Sequence, residues 1–217
     1  MGVSQIQVNT KTELTFAKGL RAIVRQDPDI IMVGEIRDEE TASIAVNSAM
    51  TGHLVLSTLH ANDAATTLPR MLDLDIEPFL IASTVQIIIA QRLVRKICQK
   101  CRVSYLLTKS EINLINSDKI LKTLMEKFGH RSLDKIRLYR GNGCEVCANS
   151  GYSNRIGIFE ILEVHENIRN LIAKRASRDD ILRTAFENGM TTMLEDGIMK
   201  VLSGITSLEE VIRVIKE

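Results

Sequence analysis

Tryptophan is absent from the 217-residue chain, and the aromatic types together make up only 4% of it. A chain so poor in rings offers neither a stacking surface for unpaired bases nor an aromatic belt for a membrane interface. Charge of one sign is missing too. The formal net charge is +1, so bulk electrostatics select neither nucleic acid nor a lipid surface as partner. No apolar run reaches the length of a bilayer. The richest window, Phe79 to Ala90, spans about 12 residues against the roughly 20 a crossing helix needs, and Ser83, Thr84 and Gln86 interrupt it. The opening stretch MGVSQIQVNTKTE has no apolar signal core and no cleavage site, so the cytoplasm is the expected compartment. No cysteine is left over: all four stand in two CxxC pairs. Also missing is a phosphate-binding loop, since no GxxxxGK[ST] pattern and no Gly-Lys dipeptide occurs.

What remains is an ordinary soluble composition, 45% apolar and 25% charged. The length suffices for one core and a smaller appendage. Residues 5 to 8 are expected as a short strand. Thr15 is placed to cap a helix over 16 to 26, with Ala17, Leu20 and Val24 inward, and Asp27-Pro28 ends it. A buried strand follows at 29 to 33, then a helix over 39 to 50 closed by Gly52. HLVLSTL, 53 to 59, is a second buried strand. Asn62 or Asp63 caps the next helix, which Pro69 bends or shortens. Strand and helix alternating in this way predict an α/β fold, a parallel sheet flanked by helices. From Pro78 a long helix is expected to about Lys96.

Beyond it the character changes. Residues 98 to 155 carry both CxxC pairs, a charged helix near 109 to 128 and the turn-rich RGNGCEVCANSGYSNR. IGIFEILEV, 156 to 164, reads as a strand. The tail from 165 is helical, punctuated by Gly189 and Gly204, with a capping box at Ser207 and Glu210. Three segments result: 1–97, 98–155 and 156–217.

Cys98, Cys101, Cys144 and Cys147 are the candidate metal ligands. Two residues between thiolates let one turn present both sulfurs to a tetrahedral ion, and two such turns complete zinc's preferred set. The 42 residues between Cys101 and Cys144 exceed a zinc-ribbon spacing and predict a small folded insert stapled by the metal. Four unligated thiols and a redox pair are the alternatives, the latter disfavoured by there being two pairs.

The strand in DPDIIMVGEIRDEET delivers Glu35 and Arg37 to its carboxyl end, and the next strand delivers His60. Ligands of open α/β sheets bind beyond that end. If the strands are neighbours, Glu35 is placed to orient water or hold a metal, and His60 to read a bound anion. The plainer readings stand beside these. A glutamate there also complements a helix dipole, a histidine there also serves as an ordinary loop residue, and Arg21, Arg25, Arg37 and Arg155 also serve as surface charges.

Taken in order, LRAIVRQDPDIIMVGEIRDEETA, TGHLVLSTLHAND, Arg92-Leu-Val-Arg95, the two CxxC pairs, GYSNRIGIFEILEV and GMTTMLEDGIMKVLSGITSLEEV resemble the type II secretion and type IV pilus assembly ATPases over essentially the whole chain. The resemblance implies a RecA-like core in residues 1–97, a tetracysteine zinc subdomain in 98–155 and a strand with a helical subdomain in 156–217. It implies a hexameric motor at the cytoplasmic face of the inner membrane, held there by a platform protein, without nucleic acid. ATP, magnesium and a structural zinc are its cofactors, and pilin polymerisation or type II secretion its work, with pilus assembly the reading preferred. Glu35 matches the acidic residue of an atypical Walker B segment with Gly34 before it. His60 matches the histidine box, with His53 the lesser candidate. Arg37 joins them as catalytic, while Arg21, Arg25 and Arg155 match arginines that sense nucleotide across subunits.

The chain departs from the family in lacking the phosphate loop, the acidic box and the nucleotide-closing domain. It is therefore expected to hydrolyse ATP poorly by itself, as a truncated piece, a partial gene or one part of a split protein. Asn154 stands where a glycine is usual and is expected to keep the left-handed turn. The rival of another class is a non-catalytic, zinc-stapled interaction module.

Overall fold

A computed structural model describes residues 3–61, 63–129 and 132–216. Asn62, one of the two cap candidates, lies outside them; Asp63 fills the role. The chain divides into two compact units, residues 1–89 with 161–190, and residues 90–160 with 191–217. Both are discontinuous in sequence, and their limits do not coincide with the divisions expected at 97 and 155.

In the first unit, β1 (Ile30–Val33) and β2 (Leu54–Ser57) pair in parallel, with Ile31 opposite Val55 and Val33 opposite Ser57. Their ladder is prolonged by Leu54 N–H to Asp29 O and by Ile36 N–H to Thr58 O, each 3.0 Å. The pattern in the sequence explains the sides. Ile31 and Val33 are 2% and 4% exposed, and α1 (Phe16–Val24) and α2 (Glu39–Met50) bring Ala17, Leu20, Ala42, Ala45 and Val46 into the same core. Their alternates face outward: Ile30 is 60% exposed, Met32 62%, Leu54 55% and Leu56 49%. Thr15 caps α1, Asp38 caps α2, and Asp63 caps α3 (Ala64–Asp73), each accepting the backbone N–H three residues on. Gly52 ends α2 at φ +103°. Pro69 lies within α3 without ending it. Also in this unit, α4 (Pro78–Thr84) packs on α7 (Glu166–Ala173), where Arg169 Nη1 donates to Ala82 O at 3.2 Å, and α3 lies beside α8 (Arg178–Glu187).

The expected helix to Lys96 is not there. Helix α4 stops at Thr84, and Ile87–Ile97 is a strand, β3. The hydroxyls of Ser83 and Thr84 turn back onto the carbonyls of Phe79 and Leu80, a bond that competes with helix propagation. Three consecutive isoleucines then favour the pleated state. Residues 5 to 8 form no strand either; only an isolated bridge joins Asn9 and Leu14.

In the second unit, β3 pairs with β6 (Tyr152–Glu163), and β4 (Arg102–Leu106) pairs antiparallel with β5 (Arg137–Gly141). The single helix expected near 109–128 is two, α5 (Lys109–Ser117) and α6 (Lys119–Lys127). Asp118 ends the first in an extended conformation and caps the second through its carboxylate. With α9 (Met193–Leu202) and α10 (Leu208–Lys216) they enclose a core of Val94, Ile115, Met125, Leu138, Ile158, Ile198, Val201 and Val211.

The expected capping box at α10 forms by half. Ser207 Oγ accepts from Glu210 N–H at 3.3 Å, but the buried Glu210 carboxylate points elsewhere. It accepts from Arg95 N–H at 3.0 Å, Arg95 Nη2 at 2.6 Å, and Arg213 Nε and Nη2 at 3.0 and 2.8 Å. Two guanidiniums outbid one backbone amide for a buried charge. The carboxyl group is held at about 2: burial opposes ionisation, and the Arg213 and Arg95 bonds outweigh it. Arg95 also lies over the Tyr152 ring, 4.2 Å from its centre.

Candidate functional site

Two places gather chemistry, one in each unit. The first is the carboxyl-end rim of β1 and β2. Parallel pairing sets the ends of both strands side by side, so that residues just past them converge. Glu35 and His60 do so: His60 Nε2 lies 3.2 Å from Glu35 Oε2. Arg37 Nε donates to the same oxygen at 2.6 Å. Thr58 Oγ1 donates to Gly34 O at 2.7 Å, tying the two loops together.

The exposures differ in a useful way. The Glu35 side chain is 24% exposed, His60 70% and Arg37 67%. A largely covered carboxylate thus stands between two solvent-facing donors. Its pKa lies below the ordinary glutamate value, first because of the Arg37 hydrogen bond, against a smaller opposing effect of burial. Glu35 is therefore an anion at neutral pH. An ionised carboxylate only accepts, so His60 presents Nε2–H to it and leaves Nδ1 to solvent or ligand. Both bonds use Oε2; Oε1 accepts nothing from the described residues. One oxygen is anchored, and the other is open to take a proton or orient a water.

Of the other predicted residues, Arg21 pairs with Glu40 at 2.7 Å across α1 and α2. Arg25 and Arg155 are exposed. Arg155 lies on β6 in the second unit, and its role toward nucleotide stays an expectation. His53 is structural here: its Nδ1 is 2.9 Å from Ser48 O, at the end of α2. A pairing not anticipated from the sequence is Asp63 with Arg178, 2.7 Å apart, with Arg178 Nε also donating to Thr66 Oγ1 at 3.1 Å. It ties the cap of α3 to the start of α8. Its partners are 115 residues apart in the chain, and no local spacing signals it.

The second place is the cysteine cluster. The four Sγ atoms all lie within 4.8 Å of one another. Cys98 and Cys144 are 3.9 Å apart, Cys101 and Cys147 3.8 Å, Cys144 and Cys147 3.7 Å. Four sulfurs about 2.3 Å from one zinc ion would stand about 3.8 Å apart, whereas a disulfide is about 2 Å long. The donor set and its spacing fit a tetrahedral thiolate metal site, and zinc is the ion that prefers it. The thiols also show why a cation belongs there. Cys101 is pushed up to about 11, by burial first, with the three neighbouring thiols adding to it. Cys147 is lowered to about 6: burial opposes this, but backbone N–H groups of Cys144 and Gly151 prevail. Four thiolates cannot gather so closely without a positive charge among them. Cys98 and Cys147 are buried, and Cys101 and Cys144 are partly exposed; four protein sulfurs would fill a tetrahedral ion's coordination, as in structural rather than catalytic zinc sites.

The family described as Type II/IV secretion system protein matches residues 1–213. Over 216 residues the chain is 44% identical to Type II secretion system protein E of Pseudomonas aeruginosa, covering all of this chain and 40% of that protein. Over 211 residues it is 44% identical to the type IV pilus assembly ATPase PilB of Thermus thermophilus, covering 97% of this chain and 22% of that one. It thus spans well under half the length of either relative. Among solved structures it resembles the ADP-bound pilus retraction motor PilT, with a TM-score of 0.59 and 27% identity over 92% of this chain and 43% of that one. It also shares its fold with the Legionella pneumophila ATPase DotB, at TM-score 0.60 and 24% identity, over 97% and 45% of the two chains.

Proposed function

Because the chain belongs to the type II/IV secretion system protein family, we propose that it forms part of an ATP-driven motor, supplying the residues that act on the attacking water and on the nucleotide's phosphates. The observation that carries this is the Glu35 carboxylate at the rim of two parallel strands, anchored through one oxygen by Arg37 and His60 and open at the other. In this reading Glu35 orients the water and accepts its proton through Oε1. His60 responds to the phosphate through the bond it shares with Glu35. Arg37 keeps the carboxylate ionised and is free to swing to a phosphoryl oxygen. ATP with magnesium supplies the scissile bond and its charge neutralisation; Arg21, Arg25 and Arg155 act from one subunit on the nucleotide of the next in a homo-hexamer.

The β1–β2 sheet supports a larger, RecA-like sheet. Parallel strands are normally covered on both faces, and here Ile30, Met32, Leu54 and Leu56 leave one face bare. We assign the motor to pilus assembly at the cytoplasmic face of the inner membrane, docked on a platform protein. Relatives named for secretion and for pilus assembly match comparably, at 45% and 44% in the pairs with Vibrio cholerae and Thermus thermophilus proteins. Secretion is the companion reading. The cysteine-held zinc is structural in both.

The experiment is paired. The chain alone, titrated calorimetrically with magnesium and ATP, is expected to show no micromolar binding, because the lysine and amide cradle for the β- and γ-phosphates is not in its sequence. Joined to the amino-terminal remainder of the Thermus PilB relative, it is expected to turn over ATP, and Glu35→Gln to abolish this with assembly intact. Full turnover by the Gln variant refutes Glu35 as the residue that acts on water, and a joined protein that turns over no ATP refutes the motor reading in favour of a non-catalytic docking module.

A further inference from the structure

The stretch GNGCEVCANSG holds three glycines that cysteine chemistry alone does not call for. Gly141 ends β5, Gly151 directly precedes β6, and their backbones cross without side chains. A Cβ on Gly141 would stand 2.1 Å from Gly151 O and 2.6 Å from its Cα. A Cβ on Gly151 would stand 2.7 Å from Gly141 O, and its φ is +75° besides. These obstacles are backbone atoms, not the ends of flexible side chains, so neither contact relaxes cheaply. Gly129 in the same unit is different: its φ is +82°, but a Cβ there would meet nothing within 4 Å.

The crossing lies among the backbone bonds that hold the two cysteine pairs. Gly151 O, the atom a Gly141 Cβ would strike, accepts from Cys98 N–H at 2.9 Å. Asn142 N–H, one residue past Gly141, donates to Cys101 O at 3.1 Å. So the first pair is tied at one end to the segment after the second pair, and at the other end to the segment before it. Within the second pair, Cys144 N–H donates to Cys147 Sγ at 3.2 Å, and Asn149 N–H to Cys144 O at 2.9 Å. Each CxxC turn fixes its own two sulfurs. With 42 residues between the turns, nothing local fixes the distance from one to the other.

We propose that Gly141 and Gly151 are positioning residues of the metal centre: their side-chain-free crossing sets the distance between the two cysteine pairs, and a Cβ at either position forces the four-sulfur cluster apart. This rests on the cluster binding a metal. The groups that orient a metal's own ligands commonly weigh roughly 10- to 100-fold in affinity, and here that role falls to backbone rather than to side chains.

The test uses the whole 217-residue chain, loaded with zinc and, separately, with cobalt(II), whose thiolate absorption reports a tetrahedral sulfur set. Gly141→Ala is expected to lose roughly 10- to 100-fold in zinc affinity, read by competition with a chromophoric chelator, and to distort the cobalt spectrum. Gly129→Ala, which strains a left-handed backbone as a Cβ on Gly151 would but meets nothing within 4 Å, is expected to lower thermal stability while keeping the wild-type affinity and spectrum. Gly141→Ala with both unchanged overturns the proposal. If that variant does not fold, amide exchange on the zinc-loaded wild type reads the crossing directly: Cys98 N–H and Asn142 N–H are expected to be protected together and released together on chelation. Protection of neither in the loaded protein, or retention of both after chelation, overturns it. A wild type that binds neither metal overturns the metal centre itself, an outcome distinct from one in which wild type and variant bind alike.

Discussion

The rim around Glu35 and the cluster around Cys147 are built on opposite plans. The cysteine cluster is complete within this chain: four donors of one kind, largely buried, at the spacing a single ion requires. The rim holds unlike groups, two of the three exposed, with one carboxylate oxygen satisfied and the other without a partner among the described residues. A closed, saturated site stores folding energy, whereas an open one keeps its groups available at the expense of stability. The cluster should therefore dominate what holds the second unit together, and the rim should matter to chemistry while contributing little to the fold.

Removing the metal is the largest expected effect. Structural zinc in small domains is worth on the order of 10 kcal/mol of folding free energy. A chelator, or Cys147→Ser, is expected to abolish cooperative unfolding of residues 90–160, seen as loss of amide protection from Cys98 to Gly151. Protection along β1 and β2 should be unchanged. Metal removal that leaves the second unit intact would break the contrast, because the cluster would then be no staple.

Glu35→Gln comes next and reverses the pattern. Loss of a positioned general base typically costs 10²- to 10⁴-fold in rate, so ATP turnover of the chain joined to the amino-terminal remainder of the Thermus relative should fall by about that much. The thermal midpoint of the chain should hardly move, since Oε1 accepts nothing from the described residues and glutamine keeps an oxygen for Arg37 and His60. A loss of stability larger than the loss of turnover would place Glu35 among the fold's supports instead.

What could be read from the sequence follows the same divide. Cysteine spacing revealed the cluster because the chemistry lies in the residue type and the local turn. Glu35 and His60 were readable because each ends a short apolar strand, and parallel pairing then brings their side chains to 3.2 Å. Asn154 was readable from conformational preference and does sit at φ +64°. The strand over residues 87–97 is not legible within the expected helix from Pro78 to about Lys96, because Leu80 to Val94 supplies apolar side chains compatible with either period. The decisive facts were local and subtle: the hydroxyls of Ser83 and Thr84 turning onto backbone carbonyls, and β-branching at Ile87, Ile88 and Ile89. Glu210 looked like a cap because Ser207 precedes it by three. That Arg95 would claim its carboxylate depended on pairing across 115 residues, which no window of sequence displays. The Gly141–Gly151 crossing was invisible for the same reason.

The Glu210 knot gives an intermediate, pH-dependent effect in the second unit. Its folded pKa is depressed to about 2 from 4.5. The stabilisation is thus fully present above the unfolded value and is lost as pH falls through about 2. Glu210→Gln is expected to cost on the order of 2 kcal/mol at pH 7, below the usual cost of breaking a fully buried pair because Arg95 and Arg213 are each about half exposed. Urea unfolding at pH 7 and again at pH 2 checks the sign. The gap between wild type and variant should shrink at the lower pH. A gap that is constant with pH would mean that the glutamine fails through packing rather than charge.

Arg37→Ala is the smallest effect on stability and the sharpest on the rim. Arg37 is the main cause of the lowered Glu35 pKa, so its removal should raise that carboxyl toward the ordinary glutamate value, followed through the Glu35 carboxyl carbon resonance as pH is lowered. Because the depressed pKa favours the folded state only above the unfolded value, the variant loses that small advantage at neutral pH and none of it once both forms are protonated. With the guanidinium so exposed, solvent screens nearly all of it, and the thermal midpoint should be indistinguishable from wild type at pH 7. Among the described residues His60 then becomes the sole anchor of Oε2, and its ring resonances should shift with the Glu35 titration more strongly than before. A Glu35 titration unmoved by the loss of Arg37 would mean that the two side chains do not share that oxygen in solution. The rim would then be looser than the cluster in geometry as well as in energy.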